Sequence, residues 1–148
     1  MWIYKKKEIS SIDQMPNESF GFIYEVTHNP TGKKYIGKKQ LIFTRKKNLG
    51  KRALSALPDK RGKKYIIEHK ESDWKTYYGS HKEILKLIKE GRKKEFSREI
   101  LEFVPSKKLL TYFECKYLFI KEVLEHNNYI NDNILAKFYR KDFYYDQT

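Results

Sequence analysis

Two tyrosines and one glutamate are the residues best able to do chemistry. Tyr24 and Tyr35 lie eleven positions apart in the stretch Gly21 to Lys39, GFIYEVTHNPTGKKYIGKK. A phenol hydroxyl can orient an attacking water or take its proton. A free tyrosine titrates near 10, so it needs a neighbouring cation to act as a base. Glu114 comes four after Leu110, three before Tyr117 and four before Leu118. On a helix it would sit at the margin of an apolar stripe, facing inward. A carboxylate there needs a partner, because a bare buried charge is strongly unfavourable. Two partners fit. One is a lysine or arginine. The other is a divalent ion, Mg²⁺ or Mn²⁺, with phosphate oxygens and waters filling its shell.

The elements that must position these groups follow from alternation and turn chemistry. Phe20, Phe22, Tyr24 and Val26 alternate with Gly21, Ile23, Glu25 and Thr27, a strand pattern rich in β-branched and aromatic residues. Asn29-Pro30-Thr31-Gly32 has type I turn preferences, and Lys34 to Lys38 returns as the partner strand. With a loop of 29–32, His28 faces Lys33 and Tyr35 falls opposite Val26. Tyr24 and Tyr35 then project from one face as diagonal neighbours, whereas a one-residue slip would separate them. Two tyrosines so placed would serve equally well as core filler. Further on, Ser80-His81-Lys82-Glu83 reads as a capping box opening a helix with the stripe Ile84, Leu87 and Ile88, stopped at Gly91. Glu95 to Phe103 reads as a third strand ended by Pro105. Ser106 caps a helix over 107–126 whose stripe is Leu110, Phe113, Tyr117, Ile120 and Leu124. Trp2-Ile3-Tyr4 is an edge strand or a basic arm.

Charge narrows the partner. The 148 residues carry 32 Lys and Arg against 19 acids, a net +13 with pI near 9.6. The excess is spread along the chain, as in domains that bind polyanions, most often nucleic acid. With 39% hydrophobic and 16% aromatic residues the chain can bury a core, and its length suits one domain. A single cysteine, Cys115, excludes an intramolecular disulfide and a CxxC-type zinc site. Residues 1–19 lack the apolar core of a signal peptide, and no apolar run approaches the ~20 residues needed to span a bilayer. The expectation is a soluble protein of the cytoplasm. Positive charge is densest between Lys38 and Asp73. Lys38, Lys39, Lys46, Lys47, Lys51, Arg52, Lys60, Arg61, Lys63 and Lys64 are the candidate phosphate contacts there. A short helix near 49–57 and a strand at Tyr65-Ile66-Ile67 are expected in this stretch; a solvated loop is the alternative. The tail 134–148 is basic and aromatic, with Phe138, Tyr139, Phe143, Tyr144 and Tyr145.

The hairpin resembles the signature of the GIY-YIG nuclease family. The first tripeptide stands as Phe22-Ile23-Tyr24, its glycine replaced by Phe22 or shifted to Gly21. The second, Tyr35-Ile36-Gly37, is intact, and the spacing of eleven occurs in the family. The resemblance covers residues 20 to about 133, with the basic segment of about 46–73 as an insertion. It implies an α/β (α+β) fold, with a small, mainly antiparallel three-stranded sheet flanked by helices. The activity it implies is that of a divalent-metal-dependent DNA endonuclease. Glu114 would be the metal ligand, with Tyr24 as base and Tyr35 as its hydrogen-bonding partner. Arg45, ten after Tyr35, would be the catalytic arginine, with Arg52 as the second choice. Tyr78 (or His81) would fill an accessory position, and Asn131 (or Asn133) that of a late asparagine. The partner would be duplex or branched DNA, with a homodimer as one route to double-strand cutting. Homing-type relatives carry an extra DNA-binding region after the nuclease domain. Little chain follows Asn133 here, which favours a phage-type or accessory nuclease acting in the host cytoplasm. Two rivals stand beside this. A non-catalytic binder would keep the fold without needing Glu114. An RNA-directed protein would stack unpaired bases on the aromatic tail.

Overall fold

The computed structural model describes residues 1–56 and 65–143, which fall into two compact units, Met1–Leu41 with Asp73–Thr148, and Ile42–Ser72. In chain order the strands are β1 (Trp2–Tyr4), β2 (Lys7–Ile9), β3 (Gly21–His28), β4 (Lys33–Gln40), β5 (Ile42–Asn48), β6 (Tyr65–Glu71), β7 (Phe96–Val104), β8 (Asn133–Ile134) and β9 (Phe138–Tyr139). The helices are α1 (Lys51–Ser55), α2 (Lys82–Lys89) and α3 (Lys107–Ile120).

The first unit is built on a sheet of order β2-β1-β7-β3-β4. The antiparallel trio β7-β3-β4 is the expected three-stranded sheet, and β1 and β2 extend it beyond that expectation. β1 runs parallel to β7, so Trp2-Ile3-Tyr4 is a strand of the sheet and not an arm. The β3–β4 hairpin closes with Thr31 and Gly32 donating to the His28 carbonyl at 3.3 and 2.8 Å. Its register puts His28 opposite Lys33 and Val26 opposite Tyr35, as the loop length predicts.

Both faces of the sheet are covered. On one, Ile23, Ile36 and Val104 pack against Leu110 and Leu118 of α3 and against Val123, Leu124 and Tyr129 beyond it. On the other, Phe22 stacks edge-to-face with Trp2 at 4.9 Å and Trp74 at 6.4 Å between ring centroids. The Trp2 indole N–H donates to the Trp74 carbonyl at 2.7 Å. Phe22 is therefore the centre of an aromatic core. Gly21 beside it lies against β4, where an added Cβ would stand 2.6 Å from the Lys39 carbonyl oxygen.

Two helix boundaries differ from expectation. α3 ends at Ile120, not near 126, because Glu122 adopts φ +50°, a left-handed conformation that cannot continue a right-handed helix. Ile120 is exposed as a result, while Val123 and Leu124 reach the core from the turn. α2 is capped by His81, whose Nδ1 accepts the Glu83 N–H at 3.2 Å, so Ser80 is not its cap. Among the described residues no helix is long and apolar enough to cross a membrane.

In the second unit β5 and β6 form an antiparallel ribbon with Arg45 opposite Glu68. Arg45 thus stands on a strand and donates from Nε to Glu68 at 3.2 Å. Lys47 shares that carboxylate at 3.3 Å, and Lys46 lies 4.5 Å over the Tyr65 ring. Lys51 and Arg52 are on α1. Lys60, Arg61, Lys63 and Lys64, with Pro58, lie outside the described residues, as do Tyr144 and Tyr145.

Phe22→Gly would restore the familiar tripeptide, yet it empties the aromatic core. Urea unfolding should show a loss of at least about 3–5 kcal/mol, the scale of a buried Phe truncation.

Candidate active site

The site begins with a close approach inside the hairpin. Tyr24 pairs directly with Gly37, and its phenol lies across that residue. A Cβ at Gly37 would collide with the Tyr24 hydroxyl and stand 3.1 Å from the Tyr35 ring. Tyr24 is only 1% exposed. The Tyr77 ring stands perpendicular to that of Tyr24 at 5.8 Å between centroids. Burial, then the neighbouring Tyr77 and Tyr35, push the Tyr24 phenol well above its ordinary value. Tyr35, 6.3 Å away between centroids, is half-buried. Its hydroxyl is 3.4 Å from Ser80 Oγ, and its ring 5.7 Å from that of His81. Burial raises its pKa, and the Ser80 hydrogen bond partly opposes this.

The 77–81 loop that meets both tyrosines is held by Arg98 of β7. Arg98 is 4% exposed, with its guanidinium 4.5 Å over the Trp2 ring and 4.1 Å over Tyr78. Nη1 donates to the Lys75 and Tyr77 carbonyls at 3.0 and 2.7 Å. Among the described residues no carboxylate pairs with it and Nε has no partner; burial lowers its pKa. Tyr78 turns toward Arg98 and Phe96, while Tyr77 packs against Tyr24. His81 is engaged at both nitrogens. Because Nδ1 accepts from Glu83, Nε2 carries the proton and donates to Asp132 at 3.1 Å.

Glu114 lies on the inner face of α3, one turn from both Leu110 and Leu118. Its Oε1 is 3.9 Å from Lys38 Nζ, which also donates to Thr111 Oγ1 at 3.1 Å. Burial pushes the Glu114 carboxyl above the ordinary range, and Lys38 partly offsets this. Asn131, 5% exposed, accepts from the Ile36 N–H at 3.1 Å and donates to the Ile36 carbonyl at 2.9 Å. The middle residue of the second tripeptide is thereby pinned from outside the sheet. Arg140 in turn donates to the carbonyls of Asn131 and Val123, both at 2.7 Å, and of His126 at 2.9 Å. Asn133 closes a local turn with Ala136 instead.

Tyr35, His81, Glu114, Asn131, Asp132 and Asn133 line a polar cleft of about 200 Å³. The fold thus brings Tyr35, Glu114 and Asn131 to one opening, with Tyr24 directly behind Tyr35. Lys38 stands at Glu114. Lys39 is committed elsewhere, bonded to Asp73 Oδ1 at 2.5 Å and lying 4.0 Å over the Tyr77 ring, so it is not a ready phosphate contact. Arg45 and Arg52 belong to the second unit. Among the described residues no cluster of three or more His, Cys, Asp or Glu exists. The cleft therefore offers two carboxylates, the half-buried Glu114 and the exposed Asp132, the latter bonded to His81. That fits a hard divalent ion that keeps waters and takes phosphate oxygens, and does not fit a closed protein cage. Tyr77, Ser80 and Arg98 escaped the sequence reading. Arg98 alone left a signal, since alternation through β7 puts it on the same face as buried Ile100.

A family model described as "putative endonuclease segE, GIY-YIG domain" matches residues 2–134. No curated protein and no solved structure matches the chain.

The raised Glu114 pKa makes a stability statement. The native state holds that proton more tightly than the unfolded chain does. This contribution is complete below the ordinary carboxylate range and is lost as pH rises through the native value. Without divalent ions, Glu114→Gln should therefore melt at the same or a higher temperature than the parent at pH 7. The two proteins should converge near pH 4, as followed by circular dichroism.

Proposed function

This chain belongs to the GIY-YIG nuclease family, and from that premise we propose that it is a divalent-metal-dependent DNA endonuclease hydrolysing phosphodiester bonds at the cleft of Tyr35 and Glu114. One observation carries the reading: a half-buried carboxylate of a strongly basic protein opens into the same polar cleft as the Tyr35 hydroxyl. A protein that only bound polyanions would use Glu114 for no more than its contact with Lys38 at 3.9 Å, while its charge repels phosphate and is unfavourable to bury.

Glu114 would hold Mg²⁺ or Mn²⁺, which when bound polarises a phosphoryl oxygen and offsets charge growing in the transition state. Hydrolysis forms a bond from water oxygen to phosphorus, breaks the bond to the leaving nucleoside oxygen, and moves one proton from the water. Tyr35, which lines the cleft with its hydroxyl 3.4 Å from Ser80 Oγ, would orient that water. Burial raises the Tyr35 pKa further in the free protein, so its phenolate needs cationic company in the loaded site. Lys38 is near enough to supply some. Its side chain is 40% exposed and free to turn from Glu114 to a phosphate oxygen. Tyr24 is sealed behind Gly37 and Tyr77. On this reading the division of labour expected from the resemblance would be reversed, with Tyr35 handling the water and Tyr24 positioning Tyr35. Asn131 holds Ile36, and so the Tyr35 backbone, in place. Arg45, Lys46, Lys47, Lys51 and Arg52 of the second unit would neutralise backbone phosphates, with Arg45 the first arginine to test for a share in the rate.

Supercoiled plasmid with Mg²⁺ tests this. Nicking or linearisation should appear, stop with chelator, and vanish in Glu114→Gln while gel-shift binding survives. Undiminished cutting by Glu114→Gln overturns the assignment. Tyr35→Phe should lose about 10²–10³ in kcat, the scale of a lost transition-state donor. Arg98→Met, by loosening the loop, should lower kcat by about 10² with KM nearly unchanged, the cost of a misplacement near 1 Å. The Mg²⁺ concentration needed for half-maximal cutting should rise as pH falls, because the ion must displace the proton that burial holds on Glu114.

A further inference from the structure

Tyr35 has two sides, and only one faces the cleft. The other closes a second cavity of about 340 Å³, between the β3–β4 hairpin and α2. Its walls are mainly apolar, from Val26, Ile84, Leu87, Phe96 and Ile130. Flat rings are available to a ligand there, since Tyr35, Phe96 and His28 all line it. Polar and charged groups stand among them: Thr31, Glu83, His28 and three cations, Lys33, Lys34 and Arg92. Such a cavity, with apolar walls and cations in its lining, suits a planar heteroaromatic ligand attached to an anionic backbone.

We infer that this cavity receives a nucleobase of the DNA strand being cut, extruded beside the scissile phosphate. The inference rests on the nuclease reading of the adjoining cleft. Tyr35 is the shared wall, so a phosphate at Glu114 and a base beyond Tyr35 are separated by one side chain. A nucleotide's own sugar separates its phosphate and base on a similar scale. Stacking on Tyr35 or Phe96 would favour any base, and Glu83 and Thr31 would bond its edge. Lys33, beside the turn, would meet the neighbouring backbone. A base in a regular duplex faces its complement and cannot enter; it must leave the stack, and mismatched or unpaired bases do so most readily. The substrate class is therefore DNA with a weakly held base next to the cut, such as a mismatch, flap or junction, ahead of perfect duplex.

Two measurements test this and separate it from the nuclease assignment. In the first, the parent protein is titrated with deoxynucleoside 5′-monophosphates, and the Val26, Ile84, Leu87 and Ile130 methyls are followed by NMR. Saturable shifts at those methyls are expected. Inorganic phosphate should leave them unmoved, and Leu87→Trp, which fills the cavity, should abolish them. In the second, cleavage is compared on short duplexes that are matched or carry one mismatch. The parent should cut beside the mismatch at least about ten-fold faster. That ratio should collapse in Leu87→Trp and also in Thr31→Trp, which obstructs the mouth from an exposed turn and so guards against a folding defect. Silent methyls, shifts equally produced by inorganic phosphate, or a ratio near one in the parent each overturn the base pocket. Methyl shifts with no cleavage of any duplex would overturn the nuclease reading and leave the base site standing.

Discussion

The site depends on a side chain lying where its cross-strand partner has none. Directly opposed residues in an antiparallel ladder share a face at close range. Tyr24 can fold its phenol across β4 only because residue 37 is glycine. Three arrangements follow from that steric fact. The Tyr24 hydroxyl is driven inward to Tyr77, Tyr35 is left as the ring that meets the cleft, and Gly79 of the loop comes against both rings. The two tripeptides are thus a statement about clearance as much as about chemistry, which is why Gly37 is kept while Phe22 is free to serve the core.

Polar groups buried around this hairpin fix what hydrophobic packing alone would leave loose. Glu25, on the face opposite Tyr24, accepts from Lys34 at 3.2 Å and from the Tyr129 hydroxyl at 3.1 Å. Burial and that carboxylate push the Tyr129 phenol up to about 12. Asn131 ties the segment after α3 to Ile36, and Arg98 ties the loop after Trp74 to β7. Each bond is directional, so the elements have one arrangement in which all are satisfied. Arg98 is the least compensated, holding its charge with carbonyls and ring faces in place of a carboxylate. Retaining a group so unfavourably placed is consistent with a positioning task.

How much of this was legible follows from which forces act locally. Alternation and turn chemistry decide the hairpin within a dozen residues, so its register and the common face of Tyr24 and Tyr35 were readable. The helical period placed Glu114 inward for the same reason. The end of α3 was not readable, since Val123 and Leu124 prolong the apolar spacing although the backbone has left the helix. Tyr77 and Tyr78 differ by one position in a loop with no period, and only Arg98, which draws Tyr78 to itself, decides between them. Arg98 acts on carbonyls, and a sequence does not say which carbonyls need donors. In the second unit the run of charges masked a regular ribbon, because Arg45 and Lys47 pair with a glutamate more than twenty residues on.

Among the described residues, β1 and β7 make the parallel pairing of the sheet, and they lie more than ninety residues apart in the chain. Closing so long a loop is entropically unfavourable until the intervening elements have collapsed. Trp2 therefore stays unseated until β3, β4 and β7 have come together. The Arg98 guanidinium rests on the Trp2 ring, so the loop that Arg98 holds has no fixed support before β1 docks. The cleft is thus among the last parts of the first unit to settle as the chain folds.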